Sequence, residues 1–60
     1  MEMKVWVCET WETEAWDVFG EAITLWRNKE DAAQYGKDFV DSCTDPYRNG
    51  RFRVWEEPVQ

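Results

Sequence analysis

Sixty residues, 43% of them apolar and 33% charged, with 13 acidic side chains against 7 basic ones and no histidine, describe one small acidic domain. At this length a single core only just offsets the entropy of ordering the chain, and a deep catalytic pocket is not expected. The net charge of −6 disfavours nucleic-acid backbones and anionic membranes as partners and favours a basic protein surface.

The chain opens with Met1 to Trp11, which has neither the basic start nor the apolar run of ~7–15 residues of a secretory signal. A cytoplasmic location follows, where the two cysteines, Cys8 and Cys43, stay reduced. They have no CxxC spacing and no histidine to complete a zinc site, so neither metal nor disulfide is expected to support the fold. Self-association is then the expected extra stabiliser.

Lys4 to Trp11 is rich in β-branched and aromatic residues and reads as a strand. Its alternation sends Met3, Val5 and Val7 to one face and Lys4, Trp6 and Cys8 to the other. The polar stretch Glu12 to Ala15 reads as a hairpin connection into a second strand, from about Trp16 to Trp26, with Gly20 marking a bulge. Beyond Gly20, Ile23 and Leu25 share one face while Ala22, Thr24 and Trp26 share the other.

Asn28 is a good helix N-cap, and Glu30 and Asp31 follow in the first turn, where carboxylates meet the positive end of the helix dipole. Ala32, Tyr35, Gly36, Phe39, Val40 and Cys43 then form a 3.6-period stripe. Gly36, which costs ~1 kcal/mol of helix propensity relative to alanine, is expected to let the backbone approach the sheet. Pro46 and the Asn49-Gly50 dipeptide end the helix and turn the chain. A last strand is expected from Arg51 to Glu57, stopped by Pro58.

The order is therefore β-β-α-β: an α+β domain spanning residues 1–60, with a three-stranded antiparallel sheet and one helix packed on one face. The first strand at the centre gives sheet order 2-1-3; the alternative makes strand three parallel to strand two through a right-handed crossover. The aliphatic set Val5, Val7, Ile23, Leu25, Phe52 and Val54 is expected beneath the helix. Parity then places Trp6, Trp26 and Trp55 on the uncovered face with Cys8, Thr24 and Arg53. Three exposed indoles make a patch of roughly 500 Å², at or above the largest typical of a monomer, so this face is read as the interface of a homodimer or higher oligomer. The alternative is a second small core, with the hairpin carrying Trp11 and Trp16 folded over it.

Lys4-Val5-Trp6-Val7, the acidic hairpin, and the junction Thr24-Leu25-Trp26-Arg27-Asn28-Lys29-Glu30-Asp31-Ala32 together resemble the small β-β-α-β proteins of bacteriophages and bacteria. The resemblance covers most of the chain as a pattern and transfers no functional residue. It implies a phage or mobile-element origin and residence in a bacterial host, where small acidic proteins act as inhibitors of host or anti-phage defence proteins.

No catalytic constellation is present. Glu9, Glu12, Glu14 and Asp17 are read as solvated surface, and Cys8 lacks a base and has acidic neighbours that raise a thiol pKa. A Cys8–Cys43 bridge would have to cross the sheet. The expected contact arm is the acidic hairpin, with Trp11, Glu12, Glu14, Trp16 and Asp17. The reading is thus a non-enzymatic inhibitor without cofactor or metal that occupies a basic host protein. The rival is a sponge for a small signalling nucleotide, held by tryptophan and arginine between protomers.

Overall fold

The computed structural model describes residues 3–59. Four elements follow one another, β1 (Met3–Glu14), β2 (Asp17–Trp26), α1 (Lys29–Ser42) and β3 (Asn49–Val59). β1 is the central strand of an antiparallel sheet of order β2-β1-β3. The first of the two sheet orders open from the sequence is the one adopted. β2 and β3 run in the same direction along opposite edges, and α1 carries the chain across β1 between them.

Both strands of the hairpin extend further than the sequence indicates. The connection expected over Glu12 to Ala15 contracts to Ala15 and Trp16, because Glu12, Thr13 and Glu14 pair with Phe19, Val18 and Asp17. Ala15 takes φ +53 to close this turn, a backbone region that glycine or asparagine enters at lower cost. The bulge is where Gly20 indicates. Thr10 opposes Ala22 and Glu12 opposes Phe19, so Gly20 and Glu21 together face Trp11. Gly20 supplies the φ of +64 that such a bulge needs.

β3 does not stop at Pro58 but continues to Val59, with Pro58 opposite Lys4. The expected terminus is corrected because β3 is an edge strand, where a residue without a backbone N–H is tolerated. Ahead of it, Pro46 sits in a turn closed by the Arg48 N–H donating to the Asp45 carbonyl at 3.2 Å. Asn28 precedes α1 in extended conformation, but its side chain makes no cap; its amide donates to the Asp31 carboxylate at 3.2 Å.

The register overturns the expected assignment of faces. Residues directly opposite one another point to the same side of a sheet. Phe52 opposes Thr10, Val54 opposes Cys8, and Trp55 opposes Val7, so Phe52 and Val54 belong with the even row of β1 and Trp55 with the odd row. α1 lies on the even row. Its Gly36 rests on the Phe52 ring, where a Cβ would overlap the aromatic carbons, and Cys43 rests on Gly50. Tyr35 meets Trp26 with ring centres 5.3 Å apart, and the Lys29 ammonium stands 5.6 Å from the centre of the Trp6 ring.

Trp6, Cys8, Thr24 and Trp26 are therefore beneath the helix, not on the uncovered face, while Val5, Val7, Ile23 and Leu25 are on the uncovered face, not beneath the helix. Trp55 and Arg53 lie on the uncovered face as expected, apart from the other two indoles. On the covered side a chain of hydrogen bonds ties an indole to the sheet backbone. The Trp26 indole donates to the Thr24 hydroxyl at 2.8 Å, which donates to the Cys8 carbonyl at 3.3 Å. Cys8 and Ala32 are 0% exposed.

The molecule is long and thin, with extents of 46 × 20 × 11 Å. Its radius of gyration of 13.0 Å compares with about 10 Å for a compact chain of this length. The cause is a mismatch of lengths: a 14-residue helix spans ~21 Å, whereas a 12-residue central strand spans ~40 Å. Among the described residues no helix is long and apolar enough to cross a membrane.

Candidate partner surfaces

Two surfaces stand out, the open face of the sheet and the tip of the hairpin. On the open face Val7, in the centre, is 5% exposed, but Leu25 beside it is 66% exposed and Ile23 61%. Met3, Val18 and Val59 are exposed on the same face. The bulge makes this possible: by adding one residue it returns Val18, on the far side of Gly20, to the face that Ile23 and Leu25 share.

Along β3 the open face carries an ordered polar row. The Arg53 Nε–H donates to Glu9 Oε1 at 2.6 Å, its guanidinium carbon stands 4.8 Å from the Trp55 ring centre, and the Trp55 indole donates to Glu57 Oε1 at 2.8 Å. A cation over an indole face and a carboxylate at its N–H hold the ring in one orientation. Trp11 occupies the middle of this face, between Arg51 on β3 and Glu21 in the bulge. A shallow cavity of about 310 Å³ is lined by Glu9, Trp11, Val18, Glu21 and Arg53.

At the tip, Trp16 is 98% exposed, with Asp17 and Glu14 paired beneath it. Tyr47 is 77% exposed in the α1–β3 loop, which arrives at the same end of the sheet because Asn49 pairs with Thr13. The backbone N–H of Tyr47 donates to Asp45 Oδ1 at 2.8 Å. Arg48 ties loop to hairpin. Its Nη1 is 3.8 Å from Glu12 Oε2, its Nε is 4.0 Å from Glu14 Oε2, and its guanidinium carbon lies 4.4 Å from the Phe19 ring centre.

The five residues expected to form the contact arm are thus divided among three places. Trp16 and Asp17 are at the tip, Glu12 and Glu14 face Arg48, and Trp11 belongs to the open face. Arg48 and Tyr47 were not indicated by the sequence. Their placement depends on the pairing of β1 with β3 across more than thirty intervening residues, and no local pattern reports it.

The thiols are unsuited to nucleophilic chemistry. Burial pushes the Cys8 pKa above its usual 9.0, against a smaller lowering by the Thr24 side-chain hydrogen bond. Burial also raises Cys43, with the Glu12 carboxylate adding to it. Both are free, and both lie on the helix side of the sheet, so what separates them is distance along the strands and not the sheet itself. A second hollow, about 240 Å³, is lined by Trp26, Asp31, Gln34, Tyr35 and Asp38 beside the helix. Among the described residues no cluster of three or more histidine, cysteine, aspartate or glutamate side chains is arranged to hold a metal ion. No protein-family model, curated protein or solved structure matches the chain.

Proposed function

We propose that the chain is a non-enzymatic binding protein that occupies a target protein through its hairpin tip, with Trp16 as the anchor. The observation that carries this reading is an indole 98% exposed on a two-residue turn. Burying a large apolar side chain in a partner's pocket contributes ~1.5–3 kcal/mol, and tryptophan, tyrosine and arginine are the residues on which interface energy concentrates. All three occur at this end of the molecule.

The local charge favours a basic partner. Asp17 and Glu14 beneath the indole, with Glu12 behind them, favour a pocket with a basic rim and speed encounter with it. Arg48 braces the arm against the α1–β3 loop, so the tip is presented pre-organised and less entropy is lost on docking. The pattern resemblance to small phage and bacterial β-β-α-β proteins supports reading such a module as an inhibitor of a host or defence protein in a bacterial cell.

Affinity capture from bacterial lysate, followed by titration of the captured protein, tests the reading. Trp16→Ser should weaken binding by at least tenfold, the equivalent of about 1.4 kcal/mol, and Asp17→Lys should slow association while reducing its dependence on salt. Unchanged affinity in Trp16→Ser would remove the tip from the binding surface. The nucleotide reading draws on the Arg53–Trp55 stack and the adjoining cavity. Glu9 and Glu21 line that cavity and Glu9 already engages Arg53, an arrangement that opposes a phosphate. Binding of a cyclic nucleotide lost in Arg53→Ala and kept in Trp16→Ser would reverse the preference.

A further inference from the structure

We infer that the open face of the sheet is the interface of a homodimer in which two copies stack face to face about a twofold axis parallel to β1. This goes beyond the tip reading and does not depend on it. The first support is area. The chain exposes 4898 Å², against about 4,100 Å² for a compact monomer of its mass. The difference is close to the ~800 Å² that each partner buries in an interface of standard size. Of the exposed large apolar side chains, Leu25, Ile23, Val18, Met3 and Val59 lie on the open face, and Trp16 and Tyr47 at the hairpin end.

The second support is charge. A chain of net charge −6 repels its own copy unless the mating surface is nearly neutral. Within the strands the open face carries Glu9, Glu21 and Glu57 against Arg51 and Arg53, an excess of one negative charge. Among the described residues the remaining acidity is on the helix, the tip, the α1–β3 loop and the covered side.

The third support is the arrangement of those charges, which also selects the axis. Glu21 on β2 and Arg51 on β3 flank Trp11 on one rung, and neither has an ion pair of its own among the described residues. A twofold axis along β1 lays β2 of one protomer over β3 of its partner at the same height. Glu21 then meets the partner's Arg51, and the reciprocal contact forms on the other side. On the rung of Val7, Leu25 comes over the partner's Trp55. Val7, Glu9 and Trp11 lie along the axis, where Glu9 comes beside the partner's Glu9 with each carboxylate held by the Arg53 of its own chain, while the Glu21–Arg51 pairs form the rim. Two sheets packed ~10 Å apart in this way make a β-sandwich with both helices outside.

Light scattering and sedimentation on the full chain at micromolar concentration test the inference. The expected mass is twice the 7.2 kDa of one chain. Leu25→Glu should reduce it to one chain with unchanged far-ultraviolet dichroism, since Leu25 is exposed in the protomer. Glu21→Arg and Arg51→Glu should each weaken the dimer by at least roughly tenfold through like-charge contact, and the double variant should restore it. Trp16→Ser should remain dimeric. A monomeric wild type, a dimeric Leu25→Glu, or a double reversal that fails to recover would overturn the assignment. So would loss of mass in Trp16→Ser, which would move self-association to the tip. A monomer that still bound its target through Trp16 would leave the tip reading intact.

Discussion

The covered and open faces of this sheet differ in a way their composition alone does not anticipate. The face beneath α1 buries the Cys8 thiol and Thr10, with Thr24 half-buried, between two indoles and a phenylalanine. The face without a helix presents leucine, isoleucine and valine to solvent. A ranking by hydrophobicity would place the helix on the aliphatic side. The chain places it where shape allows: Gly36 lets the backbone descend onto Phe52, Gly50 opens a recess for Cys43, and Tyr35 packs against Trp26. The contrast shows that a helix selects the face it can approach most closely, and that an aliphatic face left over is available for another molecule.

Two substitutions probe that contrast. The largest effect is expected from Gly36→Val, because the new side chain would occupy the Phe52 ring position with β-sheet backbone behind it. Overpacking of this kind costs about 3 kcal/mol, read as a fall in the urea midpoint. Leu25→Ser, on the other face, should change the midpoint by less than ~0.5 kcal/mol when measured at the lowest protein concentrations. Equal losses in the two variants would mean that the open face is as much a part of the protomer core as the covered one.

Alkaline pH gives a smaller effect confined to the covered side. The pKa values of Cys8 and Cys43 are raised in the folded state, so the native chain holds thiol protons that the unfolded chain releases. Their contribution to stability is complete below the ordinary thiol pKa of 9.0 and is lost as pH rises through the folded values. Denaturant midpoints should hold steady up to about pH 8 and fall by about pH 10, and Cys8→Ala should flatten the fall. Rapid labelling of Cys8 by a thiol reagent in the native protein would contradict its burial. A small gain is expected at the turn, away from both faces. Ala15→Gly removes a left-handed penalty of ~1–2 kcal/mol but adds chain entropy to the unfolded state, for a net gain of about 0.5 kcal/mol in thermal unfolding.

Much of the fold was legible because its signals are local. The β-branched run of β1, the stripe of α1, the glycine of the bulge and the close approach at Gly36 each follow from a few neighbouring residues. The assignment of faces did not, although every strand's alternation was read correctly. Alternation divides a strand into two rows but does not say which row of one strand joins which row of the next. Pairing Phe52 with Val5 and Val7 by likeness, when the register pairs it with Thr10, is a one-residue slip, and a slip of one transfers the whole strand to the opposite face. The extension of β3 through Pro58 was missed for a related reason, since a proline stops a strand only where its missing donor is required. At the tip the acidic residues were legible, whereas the arginine that braces them was not.

The pairing of Met3 with Val59 has a consequence in time. β1 is nearly the first segment of the described chain to be synthesised, and β3, which pairs along almost its whole length, is the last. Until residue 49 and those after it leave the ribosome, the central strand can be matched on one side only, by the hairpin partner it meets across a two-residue turn. The nascent protein is then a two-stranded ribbon with a helix that has only part of its seat, the contacts of Tyr35 with Trp26 and Lys29 with Trp6, because Phe52 and Gly50, the places where Gly36 and Cys43 come to rest, have yet to emerge. Closure of the sheet and seating of the helix are therefore one late event, governed by contacts that are distant in sequence and slow to form.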